Sequence, residues 1–214
     1  KEQSPCFHNQ LIENKFITFT DEITTTARRL LAVHTDTVEI ARGAYRYVLE
    51  NMDYDKSGEG WGEGSTEYAC ALGKGNCTDF HSLFIGILRA AGIAAQFEIG
   101  VAFPDGVSEA DITYYKCGYH CWVLFFAPGL GWIPVDCSEA AQKPEKTEYY
   151  FGSIDADRLM LSRGRDIELV PPSASGTQNF FTDPVVETDS GIPVFYEKYL
   201  SFNSISKEAC LDEK

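Results

Sequence analysis

Three residues of this 214-residue chain have the types and the order that acyl transfer at a thiol requires. Cys77 lies where a glycine-broken segment gives way to an apolar run, and His120 and Asp136 follow it in the sequence. A thiol, an imidazole and a carboxylate can act as a nucleophile, a base and a group that orients the base. The dipole of a helix favours the thiolate form of a cysteine at its N-terminus. The residues alone leave open whether Cys77 is a nucleophile or a buried structural cysteine.

A helix and a β-hairpin are predicted to position these three residues. Apolar residues at three- and four-residue steps predict a helix over 77–91, which begins at the thiol. Residues 118–126 and 131–135 have the pattern of two strands joined by a short turn. Because paired strands lie side by side, this hairpin can bring Asp136 toward His120.

The other segments complete a fold of the α+β class. They are, in chain order, helices over 21–33 and 36–52, a long glycine-containing loop over 53–75, a strand over 94–103 and a polar excursion over 104–116. Helices precede strands instead of alternating with them, which favours an antiparallel sheet that carries the His and the Asp. We divide the chain into an N-terminal extension with a first helix (1–35), a catalytic core (36–170) and a C-terminal segment that packs on the core (171–214).

Charge and hydropathy limit the possible partners. The formal net charge is −14, which argues against nucleic acid and anionic membrane surfaces, since both attract Lys and Arg. No apolar run is long enough to span a membrane, so we expect no membrane insertion. The first ten residues have no apolar core like that of a signal peptide, yet the chain does not begin with Met. The compartment therefore stays open between the cytoplasm and secretion after processing, and the sequence does not predict an oligomeric state.

Three sequence blocks surround the candidate residues. They are Gly75-Asn76-Cys77-Thr78-Asp79-Phe80, His120-Cys121-Trp122-Val123 and Gly131-Trp132-Ile133-Pro134-Val135-Asp136. Together they resemble the transglutaminase-like superfamily of papain-fold thiol enzymes, and residues 162–167 resemble a segment of its bacterial members. The resemblance covers roughly residues 36–170. It implies a papain-like core in which Cys77 is the nucleophile, His120 the base and Asp136 the orienting residue.

The resemblance implies thiol-dependent acyl transfer at amide bonds through a thioester. We expect a peptide or protein amide as the substrate and hydrolysis by a cysteine peptidase or amidase. Because the same triad serves both reactions, transfer of a glutamine acyl group to an amine is the alternative, and a catalytically silent binding domain is a lesser one. The backbone N–H of Cys77 is the first expected oxyanion donor. The indole of Trp61 and the hydroxyl of Tyr54 are candidates for the second donor, with ordinary aromatic packing as the alternative for each.

His81 follows Cys77 by one helical turn, so both side chains share a helix face. A zinc site formed by Cys77, His81 and His120 would need a fourth ligand, and no CxxC pair supports it. We therefore predict neither a metal nor another cofactor. His81 is interpreted as a residue that supports the site or covers the helix face.

The chain has seven cysteines, so at least one thiol is free. A chain of this length does not need disulfides to fold. Cys117 and Cys121 would lie about 13 Å apart along an extended strand, too far for a mutual disulfide. Cys6 and Cys210 could pair only if the two ends of the chain meet.

Overall fold

Helices and an antiparallel sheet confirm the predicted α+β class. The computed structural model describes residues 7–103, 113–115, 118–188 and 200–202. In this part of the chain the elements are, in order, α1 (His8–Leu11), α2 (Asp21–Val33), α3 (Thr37–Asn51), β1 (Asp53–Tyr54), α4 (Thr66–Leu72), β2 (Lys74–Gly75), α5 (Cys77–Ala90), β3 (Ala95–Ala102), β4 (Thr113–Tyr115), β5 (His120–Ala127), β6 (Gly131–Val135), α6 (Cys137–Gln142), a 3-10 helix (Pro144–Lys146), β7 (Arg158–Arg163) and β8 (Leu200–Phe202). Cys6, Cys117 and Cys210 lie outside the described residues, so the predictions about their pairing stay predictions.

The main sheet joins four strands in the order β6-β5-β3-β7, and every neighbouring pair is antiparallel. β5 and β6 form the predicted hairpin, with Val123 opposite Val135. On the other side of β3, the pairing with β7 shifts register between Ile99 and Gly100. A Cβ atom at Gly100 would lie 1.8 Å from the carbonyl oxygen of Leu159, so glycine is required for the close approach of β7. Two short pairs complete the topology, β1 parallel to β2 and β4 antiparallel to β8.

Helix α5 is central, because each of its residues except the last is buried. A capping box starts the helix: the side chain of Asn76 accepts the N–H of Thr78, and the carboxylate of Asp79 accepts the N–H of Asn76. Gly92, with φ of +77°, follows its end. The helix packs on β3 and β5 and is surrounded by α2, α3, α4 and α6. The largest fully buried side chains include Ile17, Ile23, Tyr45, Phe80, Phe84, Phe97, Phe125 and Tyr150.

The helices predicted over 21–33, 36–52 and 77–91 agree with α2, α3 and α5. The loop predicted over 53–75 is wrong in part, because this segment contains β1, α4 and β2. These elements have only two to seven residues, which is too short for a hydrophobic period to be visible. None of the described helices has both the length and the apolar character to cross a membrane.

Candidate active site

Cys77 is the first residue of α5 and has 3% of its surface exposed. The capping residue before it fixes the direction in which the chain enters the helix. As the first helical residue, Cys77 has a backbone N–H without an acceptor within the helix. This N–H and the positive end of the helix dipole lie beside the thiol, as the sequence predicted.

His120 and Asp136 lie side by side, as the hairpin prediction required. His120 begins β5, and Asp136 follows the last residue of β6. The Nε2 atom of His120 lies 2.7 Å from Oδ2 of Asp136. Cys77 and His120 are also coupled electrostatically, because each shifts the pKa of the other. The structure therefore joins His120 to Asp136 by a hydrogen bond and couples Cys77 to the same imidazole.

Asp136 is fully buried and holds more than the imidazole. Its Oδ1 atom accepts the N–H of Glu139 at 2.9 Å and the hydroxyl of Ser138 at 3.0 Å, so it also caps α6. Its Oδ2 atom accepts a second bond, from Nη1 of Arg158 at 2.6 Å. The carboxylate is thus fixed in position by the start of α6 and by β7.

Arg158 is a residue that sequence reasoning missed. Its side chain is 4% exposed and lies over the ring of Trp122 at 5.3 Å, next to the bond between His120 and Asp136. A second bond, of 3.4 Å, joins its Nη2 atom to Asp155. Arg158 comes 22 residues after Asp136 in the sequence, and no local pattern links the two.

The electrostatics of the site favour the charged forms of Cys77, His120 and Asp136. A hydrogen bond from Cys121, helped by the hydrogen bond and charge of His120, outweighs burial and holds the pKa of Cys77 well below its usual value. Burial lowers the pKa of His120, but the charge and hydrogen bond of Asp136, together with Cys77, outweigh it and raise the pKa to about 10. Burial also opposes the ionised form of Asp136, yet His120 holds the pKa of this carboxyl well below its usual value. A thiolate and an imidazolium are therefore stabilised side by side.

Asp79 ties the glycine-rich loop to the start of α5. Its carboxylate accepts the backbone N–H of Gly62 at 2.8 Å and of Gly64 at 3.0 Å, besides that of Asn76 at 2.9 Å. A Cβ atom at Gly75 would lie 2.2 Å from Oδ2 of Asp79, so this position has no room for a side chain. One buried carboxylate thus binds two backbone N–H groups of the loop and the N–H of the residue before Cys77.

Arg165 also binds the same loop. Its guanidinium donates to the Ser82 hydroxyl at 2.8 Å, to Oδ1 of Asn179 at 2.6 Å and to the Glu63 carbonyl at 2.7 Å. It also stacks near the rings of Phe16, Phe97 and Phe180. Arg165 lies within residues 162–167, the segment that resembles bacterial members of the superfamily. Its role nevertheless depends on contacts with residues that are distant in sequence.

The two predicted candidates for the second oxyanion donor occupy different surroundings. Tyr54 lies in β1 with its ring 6.1 Å from that of Phe80. Burial and then the charges of Cys77 and Cys121 raise the pKa of Tyr54. Trp61 lies in a turn of the glycine-rich loop and is 37% exposed. The donor role of each stays a prediction.

Tyr119 is a further residue beside the start of α5 that sequence reasoning missed. Its hydroxyl accepts a hydrogen bond of 2.8 Å from Nδ2 of Asn76. Burial and then the charge of Cys77 raise its pKa. Strand alternation separates Tyr119 from the face of His120, which is why the sequence pattern did not select it.

His81 is fully buried and contacts the candidate site from the core side. Its Nε2 atom accepts the backbone N–H of Cys137 at 3.1 Å, and its Nδ1 atom lies 3.2 Å from Sγ of Cys121. These contacts agree with its interpretation as a supporting residue. In the described part of the chain, no group of three or more His, Cys, Asp or Glu side chains is arranged to hold a metal ion.

Comparison with known proteins defines the class. The model of the transglutaminase-like superfamily core matches residues 24–137, more than half of the chain. The chain therefore belongs to the transglutaminase-like superfamily, and the resemblance drawn from the three sequence blocks is confirmed.

The individual proteins that match this chain have low sequence identity to it. An uncharacterised protein of Haemophilus influenzae is 29% identical over 210 residues, which cover 84% of this chain and 57% of that protein. The chain thus spans little more than half the length of this relative. Among solved structures, a candidate cysteine protease from Cytophaga hutchinsonii matches with a TM-score of 0.59 and 14% identity over 96% of this chain and 59% of its own. The periplasmic domain of TgpA from Pseudomonas aeruginosa matches with a TM-score of 0.50 and 20% identity over 65% of this chain and 48% of its own. At these identities the solved structures show a shared fold.

Proposed function

We propose that this protein is a thiol-dependent hydrolase of amide bonds, a cysteine peptidase or amidase, with Cys77 as nucleophile. The observation that carries the proposal is the hydrogen bond of 2.7 Å between His120 and Asp136, together with a thiol at a helix N-terminus whose pKa is coupled to that of His120. Membership of the transglutaminase-like superfamily supports it. The substrate we propose is a peptide or protein amide.

In the proposed reaction, His120 and Cys77 form an imidazolium–thiolate pair before the substrate binds. The thiolate attacks the amide carbonyl carbon, and the carbonyl electron pair moves to oxygen. His120 then gives its proton to the leaving nitrogen as the C–N bond breaks, which leaves a thioester on Cys77. A water molecule, deprotonated by His120, attacks the thioester and releases a carboxylic acid. Asp136 keeps the imidazole oriented through both steps.

The oxyanion of the tetrahedral intermediate needs donors that are already in place. The backbone N–H of Cys77 is the first, because it has no acceptor within the helix. Tyr119 joins Trp61 and Tyr54 as a candidate for the second donor, since its hydroxyl lies beside the helix start and accepts a bond from Asn76. Loss of one such donor costs about 10²–10³ in kcat, so Tyr119→Phe, Tyr54→Phe and Trp61→Phe can be ranked by turnover.

A peptide library digested in ¹⁸O-labelled water, with a biotinylated primary amine present, tests the proposal. Hydrolysis predicts new carboxyl termini that carry ¹⁸O and are not formed by Cys77→Ala. Incorporation of the amine at glutamine, again lost in Cys77→Ala, would replace hydrolysis by transglutamination. If neither product forms with the folded wild-type protein, the enzymatic proposal is rejected in favour of a silent binding domain.

A further inference from the structure

A single oxygen atom, Oδ2 of Asp136, accepts hydrogen bonds from an imidazole and from a guanidinium. Nε2 of His120 lies 2.7 Å from it, and Nη1 of Arg158 lies 2.6 Å from it. The two donor nitrogens therefore lie no more than about 5 Å apart, a separation at which like charges disfavour each other. Orientation of the imidazole needs only the first bond. The second bond adds a positive charge beside the base.

The surroundings of Arg158 are not those of a residue selected for packing alone. Its side chain is 4% exposed, and its bond to Asp155, at 3.4 Å, is long. The buried Nε atom has no hydrogen-bond partner among the described residues. A buried N–H without an acceptor costs stability, and an apolar side chain of similar size would fill the same space without this cost. The charge that Arg158 places at Oδ2 gives the residue a reason to be there.

A fixed aromatic ring supports this charge. The guanidinium lies 5.3 Å from the centre of the Trp122 ring, and the imidazole of His120 lies 6.4 Å from the same ring. The indole N–H of Trp122 donates to Oε2 of Glu98 at 2.7 Å, and Oε1 of Glu98 accepts Nε of Arg163 at 2.7 Å. Arg158 is thus held in place on a ring that is itself anchored to β3.

The charge of Arg158 has its largest effect on the base after the thioester has formed. In the free protein, burial lowers the pKa of His120, but Asp136 and Cys77 together raise it to about 10. A thioester sulfur carries no charge, so the support of Cys77 for the imidazolium is lost at that stage. Asp136 and Arg158 then act on the ring with opposite signs. The base must be neutral to take a proton from water, and a neighbouring cation favours the neutral form.

We propose that Arg158 is a positioning residue that shares Oδ2 of Asp136 with His120 and thereby keeps the imidazole available as a neutral base for hydrolysis of the thioester. The inference rests on the proposed function, because it concerns the second half of the same reaction. A purely structural role makes the opposite prediction. If Arg158 only held Asp136 in place, its loss would loosen the carboxylate from His120, and the pKa of His120 would fall toward the ordinary value near 6.5.

Other charged or titratable groups surround His120 and Asp136. Among the described residues they are Cys77 and His81 on α5, Tyr45 on α3, Glu98 on β3, Tyr119 and Cys121 next to His120 in the sequence, Cys137 on α6, and Asp155 before β7. The test changes Arg158 and keeps each of these groups, apart from Cys77, in every variant.

The experiment follows the imidazole of His120 by ¹⁵N NMR as a function of pH, in the full chain with Cys77→Ala, which removes the thiolate charge as the thioester does. The chain has only four histidines, so the signal can be assigned. Arg158→Gln keeps a donor for Oδ2 without the charge, and we expect it to raise the midpoint by about one pH unit. Arg158→Lys keeps the charge and should stay close to the parent value. Arg163→Gln, at a mostly exposed position of the same strand, is the matched control and should leave the midpoint unchanged.

Arg158→Met, which can fill the space against the Trp122 ring, replaces Arg158→Gln if that variant does not fold. An unchanged or lower midpoint in a folded neutral variant would overturn the proposal. Equal midpoints for Arg158→Gln and Arg158→Lys would overturn it as well. The titration needs no substrate, so its result does not depend on whether any amide is cleaved.

Turnover of an activated ester by the protein with Cys77 intact tests the role in hydrolysis. With p-nitrophenyl acetate, Arg158→Gln should form the acyl-enzyme but release acetate about tenfold more slowly than the wild type, at pH values where His120 is mostly protonated. A wild-type rate of release would overturn the proposal. Absence of any acyl-enzyme in the wild-type protein would reject the proposed function, and with it the role of Arg158 in hydrolysis, whatever the NMR midpoint.

Discussion

At the scale of single residues, the Asp136 carboxylate accepts more hydrogen bonds than the orientation of one imidazole requires. It accepts bonds from His120, from Arg158, and from two groups at the start of α6. The carboxylate is fully buried, and so is nearly all of the Arg158 side chain. The orientation of the His120 imidazole and the local folding therefore depend on the same two oxygen atoms.

Loss of the Asp136 carboxylate should consequently affect stability as well as activity. Asp136→Ala leaves the buried Arg158 cation with only its longer bond of 3.4 Å to Asp155, and we expect the free energy of unfolding to fall by about 3–5 kcal/mol. Urea denaturation followed by circular dichroism measures this loss. Glu148→Ala removes the carboxylate of an exposed ion pair with Arg42 and serves as the control; the two variants should differ clearly. Equal midpoints would show that the buried pair does not support the fold.

The pH dependence of the proposed reaction follows from the pKa values of Cys77 and His120. The reactive pair exists above the pKa of Cys77, which is held well below its usual value, and below the pKa of His120, which is raised to about 10. We therefore expect kcat/KM to form a broad plateau through neutral pH and to fall on the alkaline side as His120 loses its proton. An alkaline limb centred near pH 6.5, the ordinary value for histidine, would contradict the ion pair.

At the scale of elements, the start of α5 and the hairpin could be predicted because their signals are local. The helix shows an apolar period that begins at Cys77, and the strands that carry His120 and precede Asp136 flank a short turn. Their joint geometry follows once the two strands pair. The elements within residues 53–75 could not be predicted from local signals. Helix α4 and the two-residue strands β1 and β2 are specified by contacts with α5 and with each other.

The loop before Cys77 depends on Asp79 for backbone hydrogen bonds. Asp79→Asn replaces one acceptor oxygen by a donor, so at least one of the three N–H groups of Gly62, Gly64 and Asn76 loses its partner. An unsatisfied buried N–H costs about 1–3 kcal/mol, and we expect this loss of stability in a urea titration. Asp53→Asn, at an exposed position of β1, is the control. Unchanged stability in Asp79→Asn would show that the loop is held by other contacts.

At the scale of the whole molecule, Arg158 and Arg165 join distant parts of the chain to the candidate site. Arg165 connects the glycine-rich loop, helix α5 and the segment that contains Asn179. Burial lowers its pKa to about 10, yet it stays cationic at neutral pH. Neither arginine could be assigned from sequence, because each role is defined by partners up to 102 residues away.

Replacement of Arg165 tests this long-range connection. Arg165→Lys keeps a positive charge but cannot reproduce bonds to Ser82, Asn179 and Glu63 at once. We expect the unfolding free energy to fall by about 2 kcal/mol or more. Arg163→Lys changes a mostly exposed arginine two residues earlier and should have a much smaller effect. Thermal unfolding of the two variants provides the comparison, and equal melting temperatures would contradict the structural role of Arg165.

The proposed function depends on Cys77 being a nucleophile that His120 activates. The most direct measurement is the pre-steady-state reaction with p-nitrophenyl acetate, with the acylated residue located by mass spectrometry. The account predicts a burst of one p-nitrophenolate per chain, an acetyl group on Cys77, no burst in Cys77→Ala, and a rate reduced by about 10²–10⁴ in His120→Ala. A burst that persists in Cys77→Ala, or an acyl group spread over the other thiols of the wild-type protein, would contradict it.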